Sequence, residues 1–248
     1  MRRELHLRVT ESILRVEGKR PATAFFVNGS GLAITTGEAV GRRQKVPVIL
    51  PDGRRLMAKV VARPEDLLDL ALLEVPEART RPLELGAVPG VEPGTYLAAV
   101  GYGPSGEASL SVGHLARVMK QDEQTALFVA QLPTEEGVVG APVIDREGHV
   151  VGIVTGLQPR RPSFARILPT AAILASFPRL LKLCPCLLVR APFWQPISVD
   201  GEPVGVGPAV VVDVGKRRSV KVSATIDGKP VERVVRVSRE RVVDLTVE

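Results

Sequence analysis

Cysteine is scarce in this chain, with two residues in 248, and this excludes a disulfide-built scaffold. Long apolar runs are missing too. The richest stretch, residues 180–189, is broken by Lys182 and Pro185, short of the eighteen or so residues a membrane helix needs. The N-terminus has no apolar core of a signal peptide, since Met1-Arg-Arg is followed by Glu4, His6, Arg8 and Glu11. A soluble, cytoplasmic protein without a transmembrane segment is therefore expected. Aromatic residues are only 4% of the chain, which leaves little for stacking nucleic-acid bases. Asparagine occurs once, at Asn28, and this suits a thermophile avoiding heat-labile amides as well as it suits a GC-rich genome.

What is present points to strands. Glycine (23) and proline (21) are plentiful and valine dominates the apolar set, a composition of short strands and tight turns. The 45% hydrophobic and 24% charged residues are those of a globular chain, long enough for one large domain or two modest ones. The net charge of +6 permits an acidic partner without naming one.

After a polar lead-in over 5–18, which includes a strand candidate at Leu14-Arg-Val16, apolar runs follow closely. They are Ala24-Phe-Phe-Val27, Leu32-Ala-Ile34, Val46-Pro-Val-Ile-Leu50, 56–62 and Leu70-Ala-Leu-Leu73, with turns at Asn28-Gly29 and Pro51-Asp52-Gly53. Six strands within about sixty residues, without a helical stripe, predict a small antiparallel barrel. Beyond a Pro/Gly-rich connector at 82–94, a second set is expected at 95–100, 109–117, 125–131, 143–145 and 150–155. A short helix interrupted by Pro178 should follow over 169–183. Residues 184–192 read as a linker. Within 193–248, candidate strands at 197–200, 209–214, 219–226, 231–237 and 242–247 make a small β-sandwich.

Four landmarks give the first part of the chain a family resemblance. Gly29-Ser-Gly-Leu-Ala-Ile-Thr-Thr-Gly-Glu-Ala-Val40, Asp69-Leu-Ala-Leu-Leu73, Ala99-Val-Gly-Tyr-Gly103 and Gly137-Val-Val-Gly-Ala-Pro-Val143, the last followed by Gly148-His-Val-Val-Gly-Ile153, resemble trypsin-like serine proteases of the HtrA/Deg type. The resemblance covers roughly residues 10–175. It implies an all-β chain with a chymotrypsin-like double β-barrel over 1–183. In that family's order of histidine, aspartate and serine, the positions here are Glu38, Asp69 and Val139. Valine offers no lone pair, and glutamate's pKa of about 4.3 lies well below the about 6.5 of histidine. Loss of nucleophile or base costs on the order of 10⁶ in rate, so no peptidase activity is expected at this site. His6, His114 and His149 do not fall where the base belongs. Thr155 is a candidate nucleophile for a hydrolase with a non-standard catalytic set, but no base is placed to activate it.

A groove without a triad can still hold a peptide by strand addition. By the resemblance, Gly137 belongs to the oxyanion loop and Thr155-Gly156-Leu157 to the substrate-pairing segment. The expected function is that of a pseudoprotease binding a protein or peptide, or serving as a scaffold, with no cofactor and no metal. Nucleic acid or an anionic surface is the alternative partner, on the basic clusters Arg42-Arg43-Gln44-Lys45, Arg54-Arg55, Arg160-Arg161 and Lys216-Arg217-Arg218. Residues 193–248 resemble a PEGA domain in Val199-Asp-Gly201, Gly205-Val-Gly-Pro208, 210–214 before Gly215, and the alternation over 220–226. That module often belongs to envelope proteins, so an envelope location is a second expectation. Cys184 and Cys186 are expected to be inert thiols, too close together for an easy mutual disulfide and too few for a zinc site.

Overall fold

A computed structural model describes residues 3–18, 20–64, 68–76, 78, 80–86, 91–122, 125–134, 137–158 and 161–245. Arg160 and Val247, named above in a basic cluster and a strand, lie outside the described residues. The polar lead-in opens with a helix, α1 (Arg3–Thr10), whose Leu5 and Val9 reach the apolar interior. Six strands follow: β1 (Ile13–Glu17), β2 (Pro21–Phe26), β3 (Leu32–Thr36), β4 (Lys45–Ile49), β5 (Arg55–Ala62) and β6 (Leu70–Glu74). They close into a barrel in the order β1-β2-β3-β6-β5-β4, with a single turn of helix, α2 (Gly37–Val40), between β3 and β4. The turns form where the sequence supplies a side-chain acceptor. Asn28 Oδ1 accepts the N–H of Ser30 (3.1 Å) and Leu32 (2.8 Å), and Asp52 Oδ1 accepts that of Arg54 (3.0 Å).

The second barrel is built from β7 (Tyr96–Tyr102), β8 (Ala108–Lys120), β9 (Ala126–Gln131), β10 (Pro142–Ile144), β11 (Val150–Gln158) and β12 (Arg161–Pro169), closed in the order β10-β11-β12-β9-β8-β7. Its sixth strand, β12, is absent from the sequence-based expectation. Arg161-Pro-Ser and Arg166 interrupt the apolar alternation, yet Ala165, Ile167 and Leu168 are buried. The predicted helix appears as α3 (Thr170–Ser176) and a 3₁₀ turn over Pro178–Leu183, divided at Phe177.

The C-terminal part has two sheets. One holds β13 (Cys186–Arg190) between β16 (Ala209–Asp213) and β19 (Val242–Asp244). The other runs β15-β14-β17-β18, with β14 (Pro196–Val199), β15 (Glu202–Val206), β17 (Ser219–Ile226) and β18 (Lys229–Arg236). The expected linker at 184–192 is therefore wrong. Residues 186–190 are the central strand of a sheet, and Leu187 and Val189 are fully buried in the sandwich core. Leu188, on the other face of the same strand, packs into the large core that also holds Phe25 and Ile34 of the first barrel, Ile153 of the second and Ile173 of α3. One strand thus fastens the sandwich to the barrels because both of its faces are apolar.

The expectation of free thiols is also corrected. Cys184 and Cys186 form a disulfide across Pro185, with Cα atoms 5.1 Å apart. In extended backbone the side chains of residues i and i+2 leave the same face, and this separation lies within the range that a disulfide bridges.

The two barrels meet at a buried threonine. Thr23, fully buried in β2, donates its N–H to Val139 O (2.9 Å) and its hydroxyl to Gly137 O (2.8 Å). The hydroxyl also accepts the N–H of Tyr102 (2.9 Å), and Thr23 O accepts from Thr35 Oγ1 (2.7 Å). Replacing it by valine preserves the shape while leaving the Gly137 carbonyl and the Tyr102 N–H unpaired in the interior. Thr23→Val should cost about 1–3 kcal/mol in urea denaturation, and Thr23→Ser should recover most of the loss.

Candidate functional site

Asp69 sits immediately before β6 with φ = 52°, a left-handed conformation that aspartate tolerates better than most residues. That kink turns both of its acceptors toward α2. Asp69 O takes the N–H of Gly37 (2.9 Å), and Asp69 Oδ1 takes the N–H of Glu38 (2.7 Å). Asp69 thus satisfies the first two N–H groups of the short helix, Gly37 with its carbonyl and Glu38 with its carboxylate. Glu38 itself points to solvent, with its carboxylate 3.7 Å from Arg20 across an exposed pair. At 56% side-chain exposure this contact adds little to stability.

Val139 lies on the loop before β10, held through its carbonyl by Thr23. The loop's course is dictated by two glycines. Gly137 has φ = 98°, and a Cβ there would come within 2.5 Å of Tyr102 O. Gly140 has φ = 88°, and a Cβ there would stand 2.0 Å from Thr23 O and 2.8 Å from Thr35 Oγ1. Thr35, on the strand that leads into Glu38, therefore stands against the loop that carries Val139. The structure brings Glu38 and Asp69 into direct contact and sets the Val139 loop one strand away.

Thr155, Gly156 and Leu157 lie on β11 beyond its pairing with β10. The main chain of Val154 is engaged with Gly140 N–H (2.7 Å) and Ala141 O (3.0 Å), on the side away from β12. A bulge then sets Thr155 and Gly156 against Arg166, and Leu157 opposes Ala165. Because bonded and non-bonded pairs alternate along an antiparallel ladder, the N–H and C=O of Leu157 face away from β12. The Thr155 hydroxyl is directed to Arg166 O at 3.4 Å.

The sequence-based reading missed Arg166. It belongs to the unrecognised strand β12, and its guanidinium covers Gly156, with Nη2 2.8 Å from where a Cβ would be. It also acts on Asp69. Partial burial pushes the Asp69 pKa above the usual 3.8 and the Glu38 carboxylate adds to the rise, while the Glu38 N–H and the Arg166 guanidinium oppose it. A cation placed between two strand residues was detectable only from the register of β11 and β12.

The histidines are held elsewhere. His6 lies in α1, His114 in β8 meets the Tyr96 ring edge-on at 6.2 Å, and His149 Nδ1 is 3.1 Å from Asp145 Oδ2 across the β10–β11 turn. Among the described residues no group of histidine, cysteine, aspartate and glutamate is arranged to hold a metal ion, and no helix is long and apolar enough to cross a membrane.

Residues 22–153 match the family model of the trypsin-like peptidase domain. The chain belongs to this family. It is 26% identical over 151 residues to a "Probable periplasmic serine endoprotease DegP-like" of Hahella chejuensis, covering 60% of this chain and 32% of that protein. The chain thus spans about a third of that relative's length. Among solved structures, an inactive form of Rv3671c from M. tuberculosis superimposes with a TM-score of 0.64 at 19% identity, covering 71% of this chain and 89% of that one. The serine endoprotease from Yersinia pestis gives a TM-score of 0.62 at 12% identity, covering 95% and 97%. These two likenesses show the double-barrel fold.

The direction of the Asp69 shift sets a sign for the pH dependence of stability. A carboxyl whose native pKa is raised binds its proton more tightly in the folded chain than in the unfolded one. Between the unfolded value near 3.8 and the higher native one, its contribution grows as pH falls and is lost as pH rises. Asp69→Asn keeps an acceptor for the Glu38 N–H but does not titrate. Urea denaturation at about pH 7 and about pH 4.5 should show wild type gaining stability relative to Asp69→Asn at the lower pH.

Proposed function

We propose that this family member is a pseudoprotease that binds an extended peptide in the groove between its barrels. The observation that carries the reading is the pair of residues at the positions where the family's histidine and serine would stand, a glutamate at position 38 and a valine at position 139. Acyl transfer of the trypsin type needs a nucleophilic lone pair next to a base that takes its proton. Val139 has none to offer. Glu38 points to solvent beside Arg20, and the fold's three histidines are placed at other points of the structure. The serine endoproteases among its relatives share the scaffold, and in this chain the same scaffold is used for recognition.

Peptide binding rests on the backbone of β11. The outward N–H and C=O of Leu157 form the start of a strand edge, and strand addition draws its affinity from main-chain hydrogen bonds. Arg166, covering Gly156 at that edge, favours a peptide with an acidic side chain at the adjoining position.

Two measurements test the proposal. Purified protein treated with a fluorophosphonate probe should remain unlabelled, and labelling abolished by substituting one particular serine or threonine would overturn the inactive reading. A displayed peptide library should yield extended binders rich in aspartate or glutamate. Leu157→Pro removes the outward N–H without touching the β11–β12 ladder and should weaken them at least about tenfold, while Arg166→Glu should reverse the charge preference. A library without binders would overturn the groove assignment.

A further inference from the structure

The outermost strand β18 has a second edge whose hydrogen-bonding groups can be counted from its register. Val237 N–H donates to Arg218 O at 3.1 Å, and Arg236 stands opposite Ser219. Alternation along the antiparallel ladder then directs the main chains of Lys229, Val231, Arg233 and Val235 to β17. Those of Pro230, Glu232, Val234 and Arg236 face outward. Pro230, lacking an N–H, occupies an outward position as an edge strand requires. The carbonyl of Arg236 is already used, accepting from Arg239 N–H (2.9 Å) and Glu240 N–H (3.1 Å) of the following turn. The donors that remain are the N–H groups of Glu232, Val234 and Arg236. The acceptors that remain are the carbonyls of Pro230, Glu232 and Val234.

We propose that this edge pairs antiparallel with β18 of a second copy of the chain, about a two-fold axis at Arg233. In that register Glu232 stands opposite Val234 of the second copy, and Pro230 opposite its Arg236. Every remaining donor meets a remaining acceptor. The proline that cannot donate faces the one carbonyl that needs no donor. Neighbouring registers fail this accounting. An axis at Glu232 sets Pro230 against the second copy's Val234, whose carbonyl then has no donor, and brings the Glu232 carboxylates together. An axis at Val234 sets the Glu232 N–H against the occupied Arg236 carbonyl.

The side chains agree with the backbone. Val234 is 71% exposed, the highest value among the exposed large hydrophobics of the described residues, and lies one diagonal step from its symmetry mate. Glu232 and the second copy's Arg236 are diagonal neighbours of opposite charge on the same face. The two Arg233 side chains meet at the axis, each already paired with its own Glu240 at 2.9 Å. One strand pair lies at the small end of the interface range, so the association is concentration-dependent.

Sedimentation velocity of the 248-residue chain from about 1 μM to about 1 mM should show a shift from monomer to dimer. Val234→Pro removes an outward N–H while sparing the β17 ladder and should weaken the dimer at least about tenfold. Val234→Thr keeps that N–H and should retain the dimer, with circular dichroism confirming that both variants fold. Glu232→Arg and Arg236→Glu should each weaken association, and the double exchange should restore it. A monomer at every concentration, a dimer unmoved by Val234→Pro, or a double exchange as weak as either single one would overturn the proposal.

Discussion

Thr23 is where the two barrels become one molecule. Its N–H, carbonyl and hydroxyl are all engaged at a fully buried position, and its partners belong to both barrels: Thr35 on one side, Tyr102, Gly137 and Val139 on the other. An interior polar group is stable only when paired, so each partner is fixed by the same requirement. The consequence reaches the loop before β10. Because Gly140 must approach Thr23 O so closely, the residue there can carry no side chain, and the course of the loop that carries Val139 is fixed. The geometry of the loop is therefore a property of barrel docking. It is indifferent to whether position 139 carries a hydroxyl.

The same separation of structure from chemistry holds at Asp69. Its carboxylate accepts a main-chain N–H and its carbonyl accepts another, so it terminates α2 whatever side chain stands at position 38. Substitution of the neighbouring groups leaves that bond intact. Helix capping is by itself a structural reason for an aspartate at position 69. The direction of the Asp69 shift shows that burying this carboxyl, with the Glu38 carboxylate nearby, outweighs the stabilisation of its charge by the Glu38 N–H and the exposed Arg166.

Much of this was legible in the chain, for reasons that differ by element. The first barrel could be read because its turns carry their own chemistry, Asn28 and Asp52 each capping backbone N–H groups within a few residues. Positions 38, 69 and 139 are assigned through the family resemblance of the short motifs around them, which can be read from local sequence. Where signals depend on partners distant in sequence, the reading failed. β12 is held by β9 and β11, and its exposed Arg161, Ser163 and Arg166 disguise a strand that buries Ala165, Ile167 and Leu168. β13 follows a Cys-Pro-Cys segment, but burial on both faces, not local composition, makes it a strand. α1 is polar enough to pass for a lead-in, and only Leu5 and Val9 commit it to the interior. Missing β12 also meant missing Arg166, the cation that covers Gly156.

On the proposed reading, the parts of the protein that meet other molecules are backbone edges, and this changes what sequence variation can reveal. A catalytic site of the trypsin type is lost with one side chain. A strand edge is lost only when an N–H is removed, a carbonyl is diverted or a charge opposes the partner. At Leu157 and at Glu232–Val234 most side chains leave the bonding capacity unchanged, and proline is the substitution that removes it. The placement of Pro230 and the capture of the Arg236 carbonyl by its own turn illustrate both natural ways of trimming an edge. They narrow the ways in which β18 can pair without closing it, and specificity then comes from which groups are left over.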